Sequence, residues 1–340
     1  MYKVSLIIPI YNAELSLKNT INSVINQTLG FENIELILVD DNSKDDSKQI
    51  ISEFANKYSN IKPIFLKENS GLASYPRNIG IENATAEYLL FMDSDDEIFE
   101  DYCEILLDKI TTHDVDIVCC NNSNKIGNKT YISKDINNVN ASEKYCNDVE
   151  KMYLRHTAWG SIYKTSLIKK NNIKFPNTLH EDGVFSANSL LKTDKTVIYL
   201  PNYPGYIYSI DGDGSLSHKL NLNSMRLFLK GYELFDELLK ENTSPDIEKG
   251  LINQCIRMAI FILLKVDDLD GGVKLLSDFE NSLDFEIDLG LKPFNIINQK
   301  IINKQFIQAK TFLKIIRLFY NNNKFRNYFF IKYSRIKSLK

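Results

Sequence analysis

The sequence predicts an α/β protein: a doubly wound mixed or parallel sheet of Rossmann-like type, followed by a smaller helical C-terminal region. Three observations predict it. Apolar runs of strand length, Val4–Ile10, Ile34–Val39, Ile61–Leu66 and Tyr88–Met92, alternate with amphipathic segments. The runs are nearly continuous, as in strands covered on both faces. Turn-forming or acidic residues follow them, at the carboxyl ends where ligands bind in such sheets. Tyr11, Asp40 and Asp93 all sit at such ends, so one crevice can collect the three.

The first run passes through Pro9-Ile10-Tyr11-Asn12 into a helix expected over about 14–26. The second stops at Asp40-Asp41-Asn42-Ser43, before a helix over 45–58. Asn69-Ser70-Gly71 is a loop after the third, and a segment through Arg77 and Asn78 becomes helical before Ala84. The fourth run ends abruptly at Asp93-Ser94-Asp95-Asp96-Glu97. Residues two apart in a strand share a face, so Asp93 and Asp95 can aim at one point past the strand end. Two hard oxygen donors with open positions left over suit Mg²⁺ or Mn²⁺ carrying a substrate phosphate. The same acids suit the first turn of a helix expected over 98–110, and the spacing leaves both readings open.

Val115–Cys120 is a further strand, and 121–140 a polar, looped excursion. His180-Glu181-Asp182-Gly183 opens a helix reaching Lys192; short strands are expected over 197–200 and 206–210, then a glycine-rich turn over 211–215. Helical patterns follow over 222–241, 246–266 and 271–282, then a basic amphipathic region over about 294–336. The division expected is 1–215 as the α/β domain, 216–288 as a helical domain and 289–340 as a basic, aromatic tail.

Composition narrows the function. No Gly-x-Gly-x-x-Gly and no Gly-x-x-x-x-Gly-Lys-Ser/Thr follows any strand, which argues against a dinucleotide site or a P-loop. Phosphates held here would need a metal and a few cations instead of a glycine cradle. The longest apolar run, Met258–Leu264, is far short of the roughly 18 residues that span a bilayer. Met1-Tyr2-Lys3 leads straight into a strand, so no leader is expected. Five cysteines without paired spacing read as reduced, buried thiols of a cytoplasmic protein. Twelve Lys or Arg and no acid follow Asp288, so residues 1–288, with 29 basic against 44 acidic groups, carry about −15. The aromatic residues interleaved in that tail favour peripheral attachment to the inner face of a membrane; no nucleic-acid motif is present, and no nucleic-acid partner is expected.

Five blocks in order, Ser5–Asn12, Leu38–Ser43, Gly71–Gly80 with Arg77-Asn78, Phe91–Asp96 and His180-Glu181-Asp182, resemble the family 2 glycosyltransferases of the GT-A fold. The likeness runs through most of residues 1–215 and says little about 216–340. It implies a metal-dependent, inverting transfer from a nucleotide-sugar, a UDP-sugar, to a hydroxyl of a cell-surface polysaccharide or a glycan or lipid-linked acceptor. Mn²⁺ or Mg²⁺ is the implied cofactor. By the same resemblance Pro9, Tyr11 and Asn12 line the base, with Tyr11 stacking on it, and Glu14 and Ser94 belong to the donor site. Asp40 accepts from the uracil imide, Arg77 steadies the nucleotide or diphosphate, and Asp93 reaches the ribose or the metal. Asp95 binds the metal, Asp182 is the general base, and Glu181 and Trp159 face the acceptor. His218, after the glycine-rich turn, is a candidate late metal ligand or phosphate contact.

Plainer readings stand beside these: Asp40 as a strand-end cap, Asp182 as a helix N-cap, Arg77 in a surface ion pair, Trp159 as core or cleft wall, His218 as structural. The competing functions are a nucleotidyltransferase on a related sheet and a non-catalytic glycan-binding homologue. An oligomer is compatible with the helices over 222–282, which alternatively hold the acceptor.

Overall fold

The computed structural model describes residues 1–127, 129–131, 143–146, 152, 157–210, 221–263, 266–283, 298–301, 303, 309 and 313. They fall into two compact units, Met1–Ser215 and Leu216–Lys340.

The first unit is built on an eight-stranded sheet. Its strands are β1 (Val4–Ile10), β2 (Ile34–Asp40), β3 (Ile61–Phe65), β4 (Tyr88–Phe91), β6 (Ile117–Cys120), β9 (Lys144–Cys146), β10 (Ser161–Lys164) and β11 (Val197–Leu200). The order is β3-β2-β1-β4-β10-β6-β11-β9. The β3-β2-β1-β4 half is parallel, whereas β10 runs antiparallel to both β4 and β6, so the sheet is mixed. The chain winds from β1 outward to β3 and then returns to the other side of β1 as β4. That reversal is the topological switch point, and in such sheets ligands bind there, beyond the carboxyl ends of the strands. All seven residues of β1 and of β2 are buried, as their continuous apolar runs require.

Pro9 sits inside a central strand, where a missing N–H ordinarily costs a ladder bond. Ile7 C=O accepts from Met92 N–H, so Pro9, two residues on, faces the same side. The β1–β4 ladder ends at Ile7↔Phe91, one step before Pro9. The absent donor therefore falls where no partner strand remains.

Helices α1 (Leu17–Ile25), α2 (Ser47–Lys57), α3 (Ser74–Asn83), α4 (Tyr102–Thr112), α5 (Thr165–Lys170) and α6 (Glu181–Lys192) complete the unit. α3 approaches β1 closely, because a Cβ on Gly80 would lie 2.3 Å from Ile7 Cγ2. Leu6, Ile8, Leu36, Leu38 and Leu90 form the centre of the core.

A second, four-stranded sheet runs in the order β5-β12-β7-β8, with β5 (Glu97–Ile98), β7 (Asn122–Ile126), β8 (Lys129–Tyr131) and β12 (Tyr206–Ser209). It corrects two expectations. The helix expected from residue 98 begins at Tyr102, because Ile98 pairs with Tyr206 and Phe99 N–H donates to Gly205 C=O. The expected loop over 121–140 contains strands, since Asn122–Lys125 ladder onto Tyr206–Ser209. In both places pairing with β12 overrides what the local residue pattern favours.

In the second unit α7 (Leu222–Asn242) starts at a reciprocal Asn221–Ser224 cap, α8 (Pro245–Leu263) opens on a proline, and α9 (Leu269–Glu280) starts at Asp268, which accepts from Gly271 N–H. Tyr232 and Phe279 meet across α7 and α9 with ring centroids 6.2 Å apart. Among the described residues no helix is long and apolar enough to cross a membrane. His218, the turn over 211–215 and all but a few positions of the basic tail over 289–340 lie outside the described residues.

Candidate active site

The acid turn after β4 is where the site starts. It is followed by β5, not by a helix, and the N-cap position of α4 is Asp101. The helix-cap explanation for Asp93, Asp95 and Asp96 therefore has no helix to act on. The turn is fixed by its backbone instead. Ser94 C=O accepts from Ser16 Oγ and Thr20 Oγ1, both at 2.9 Å, and Asp96 C=O accepts from Thr20 Oγ1 at 2.9 Å. Behind it Tyr206 works in two directions. Its hydroxyl accepts from Asp93 N–H at 3.1 Å and donates to Asp96 Oδ2 at 2.6 Å, while Ser209 N–H donates to Asp96 Oδ1 at 2.8 Å. Asp96 is fully buried, and burial, followed by the charges of Asp93 and Asp95, pushes its carboxyl well above the usual range.

Arg77 joins this turn to the Glu-Asp pair. Its Nη2 donates to Asp93 Oδ1 at 2.6 Å; its Nη1 donates to Glu181 Oε1 at 2.9 Å and to Asp182 Oδ1 at 2.8 Å. Residues 77, 93 and 181–182 are far apart in the chain, so this hub exists only in the folded protein. Burial would lower the Arg77 pKa, but Asp182, Asp93 and Glu181 outweigh it and hold the guanidinium charged. The group lies over the Phe175 ring, 5.2 Å from its centroid, and Phe175 stacks on Phe185 at 4.0 Å. Asn78 secures Phe175 with a reciprocal pair: its Nδ2 donates to Phe175 C=O and its Oδ1 accepts from Phe175 N–H, both at 2.9 Å.

Asp182 lies in the first turn of α6, whose N-cap position is His180, so it is not the cap. His180 has φ 78°, a left-handed conformation costly for a residue with a Cβ. Its ring folds over the following turn, where a Cβ on Gly183 would lie 2.2 Å from His180 Nε2. Burial raises the Asp182 carboxyl; Arg77 opposes this, and Glu181 and Asp93 add to it, leaving it at about 7. A carboxyl there is suited to accept a proton near neutral pH.

The residues expected at the donor site form a latch between two loops. Asn12 N–H donates to Ser43 Oγ at 3.0 Å, and Asn12 Oδ1 accepts from Lys44 N–H at 2.8 Å. Glu14 N–H donates to Asp45 Oδ2 at 3.0 Å, and Glu14 Oε2 accepts from Asp46 N–H at 2.9 Å. Asn12 and Asn42 both have left-handed φ, which asparagine tolerates better than most residues. Tyr11 is half exposed, with its ring available for stacking. Asp40 is fully buried, and both its oxygens receive the Ser43 N–H, the strand-end cap contact.

For a divalent ion, Asp93 and Asp95 are the fitting pair. Burial, followed by the Asp93 charge, raises Asp95 to about 6, so the turn concentrates carboxylates whose repulsion a cation relieves. Among the described residues no group of three or more metal-ligating side chains forms. Two carboxylates completed by substrate phosphates are a sufficient Mg²⁺ set.

Trp159 is half-buried and stacks on Tyr206 at 4.5 Å and 14°, and on Tyr208 at 5.7 Å and 15°. Tyr206 and Asp96 were not among the residues expected from the sequence to build the site. Asp96 had a signal in the acid run itself; nothing local marks Tyr206.

Comparison with known proteins shows the family and the fold. The profile of glycosyl transferase family 2 matches residues 5–188. The cholesterol galactosyltransferase of Borreliella burgdorferi is 32% identical over 257 residues, covering 69% of this chain and 70% of that protein. The poly(ribitol-phosphate) beta-glucosyltransferase of Bacillus spizizenii is 33% identical over 219 residues, and the match spans 62% of this chain but only 33% of that longer relative. Among solved structures, residues 1–349 of S. aureus TarS in complex with UDP-GlcNAc superpose with a TM-score of 0.73 at 21% identity, covering 93% of this chain and 92% of that one. That similarity speaks for the fold.

Proposed function

The chain belongs to glycosyl transferase family 2, and from that premise we propose that it transfers a sugar, with inversion, from a UDP-sugar to a hydroxyl of a polysaccharide or related glycoconjugate. The observation that carries this reading is the Arg77 hub, which couples the acid turn to Asp182 through direct ion pairs. Tyr11 stacks on the base and the latched loops at Pro9, Asn12 and Glu14 shape its slot. Asp40 recognises the uracil from the end of β2. The UDP-GlcNAc complex of TarS supports the choice of donor, and the poly(ribitol-phosphate) acceptor of the Bacillus spizizenii relative supports the acceptor class.

Asp93 and Asp95 would hold Mg²⁺ or Mn²⁺, which when bound supplies positive charge to the departing diphosphate. Asp182 accepts the proton of the acceptor hydroxyl as that oxygen forms its bond to the anomeric carbon and the bond to the diphosphate breaks. Arg77 keeps Asp182 aimed and limits how far burial raises it. It also holds Asp93 in place, so its reach toward the diphosphate works through the acid turn. Glu181 shares the hub and faces the acceptor beside Trp159. A base in this position contributes about 10²–10⁴-fold in rate.

The test is UDP release from a panel of UDP-sugars with Mn²⁺ or Mg²⁺. Asp95→Ala loses turnover, and Asp182→Asn binds UDP as the wild type does yet loses transfer. Full turnover in Asp182→Asn would remove that residue as the base, and no UDP binding by the wild type would end the donor assignment.

A further inference from the structure

Ile126, Tyr131, Tyr208 and Ile210 are exposed large apolar side chains, and all four fall on one face of the four-stranded sheet. The register explains it. Tyr208 lies opposite Asn124 in the parallel β12–β7 pair, and Asn124 lies opposite Tyr131, as Ile126 does Lys129, in the β7–β8 hairpin. Opposed residues share a face, and so do residues two apart. Ile210 continues that side of β12, its N–H reaching Lys125 C=O. The other face carries buried Ser123 and Ile207, and Lys125 paired with Glu97. One face packs inward, while the outer part of the other shows two tyrosine rings and two isoleucines to solvent.

This face begins at the acid turn. Tyr206 is bonded to Asp93 and Asp96, and Trp159 lies nearly parallel to both Tyr206 and Tyr208. The Tyr208 hydroxyl is raised by burial and then by the charges of Asp96, Asp95 and Asp93, which places it within their field. From there the row runs outward through Asn124 to Tyr131. Two strand spacings separate the two tyrosines, about 10 Å, a reach on the scale of a short run of linked sugar rings.

We propose that this face is an extended acceptor track for an oligosaccharide chain, with sugar rings stacking on Tyr208 and Tyr131 and their hydroxyls meeting Asn124 and Lys129. It rests on the glycosyl-transfer reading and deepens it, since the acceptor is then recognised over several units. Flat rings separated by an amide suit the alternating apolar and hydroxyl-bearing faces of sugars. An apolar lipid surface would leave the Asn124 side-chain N–H groups at the centre of the row without a hydrogen-bond partner, whereas sugar hydroxyls supply one.

Trp159 is the only tryptophan in the chain, so its emission reports on the row directly. The full chain, with UDP present, is titrated with glucose and N-acetylglucosamine oligomers of increasing length. Affinity in at least one series rises with length, and Tyr131→Ala weakens the long oligomers by about two- to tenfold while leaving the single sugar unaffected. Thr130→Ala, on the opposite face, changes neither, and UDP binding serves as the folding control. The track is overturned by affinity that does not depend on length in either series, or by a Tyr131→Ala loss equal at all lengths. It is equally overturned if anionic phospholipid vesicles shift Trp159 emission where no oligomer does, or if Tyr131→Ala abolishes a dimer. If the wild type releases no UDP from any UDP-sugar, the glycosyl-transfer reading itself has failed. If it turns over and length has no effect, only the track has.

Discussion

The buried acids around Arg77 in the first unit and the buried Glu280 in the helical unit are held in opposite ways. In residues 1–215, Asp93 and Asp182 receive the Arg77 guanidinium, and Asp96 receives Tyr206 and Ser209. In the helical unit, Glu280 is buried on α9, and among the described residues neither of its carboxyl oxygens has a hydrogen-bond partner. Burial raises its carboxyl to about 9, and among the described residues no neighbouring charge opposes it. A buried acid facing a guanidinium stays responsive near neutral pH, as Asp182 does at about 7; Asp96, which meets only neutral donors, and Glu280, which meets none, escape their desolvation cost by keeping their protons.

The hub is the sharpest place to break this contrast. Arg77→Leu leaves three carboxylates facing one another without their cation. We expect a loss of about 3–5 kcal/mol in urea denaturation, together with loss of turnover. A variant as stable as the wild type would show the ion pairs to be dispensable. Tyr206→Phe is milder: it leaves Asp96 Oδ2 and Asp93 N–H without their partner, costing about 1–3 kcal/mol and weakening metal-stimulated UDP release. Normal metal response in that variant would dissociate Tyr206 from the acid turn.

The smallest effect should come from the other unit. Glu280→Leu removes an unpartnered carboxyl and gains about 1 kcal/mol or more at pH 8. The pH dependence has a definite sign. Between about 4.5 and about 9 the unfolded chain releases a proton that folded Glu280 retains, so this residue makes stability fall as pH rises through that window. Melting curves of Glu280→Leu should be flatter over that range than those of the wild type. Parallel curves would mean that Glu280 finds a partner in solution.

The same contrast explains what could be read in the sequence. The parallel half of the sheet was legible because β1, β2 and β4 are apolar runs whose burial is decided locally, and Tyr11, Asp40 and Asp93 then fall at strand ends by topology alone. Asn122–Ile126 was not, because its polar residues form a strand only by pairing with β12. The Arg77 hub was legible as a set of residue types in order, but not as ion pairs: contacts between positions 77, 93 and 182 depend on where α3 and α6 pack. The left-handed His180 and the double role of Tyr206 leave no local mark, since each is imposed by the neighbours around it.

We propose that Asp182, raised by burial and restrained by Arg77, takes the proton during transfer. The rate of sugar transfer as a function of pH tests it most directly. The wild-type rate should climb as pH rises through about 7, where Asp182 gives up its own proton, and Asp182→Asn should lose that limb along with most of its activity. A limb that persists unchanged in Asp182→Asn, or a wild-type rate that is flat across neutral pH, would contradict it.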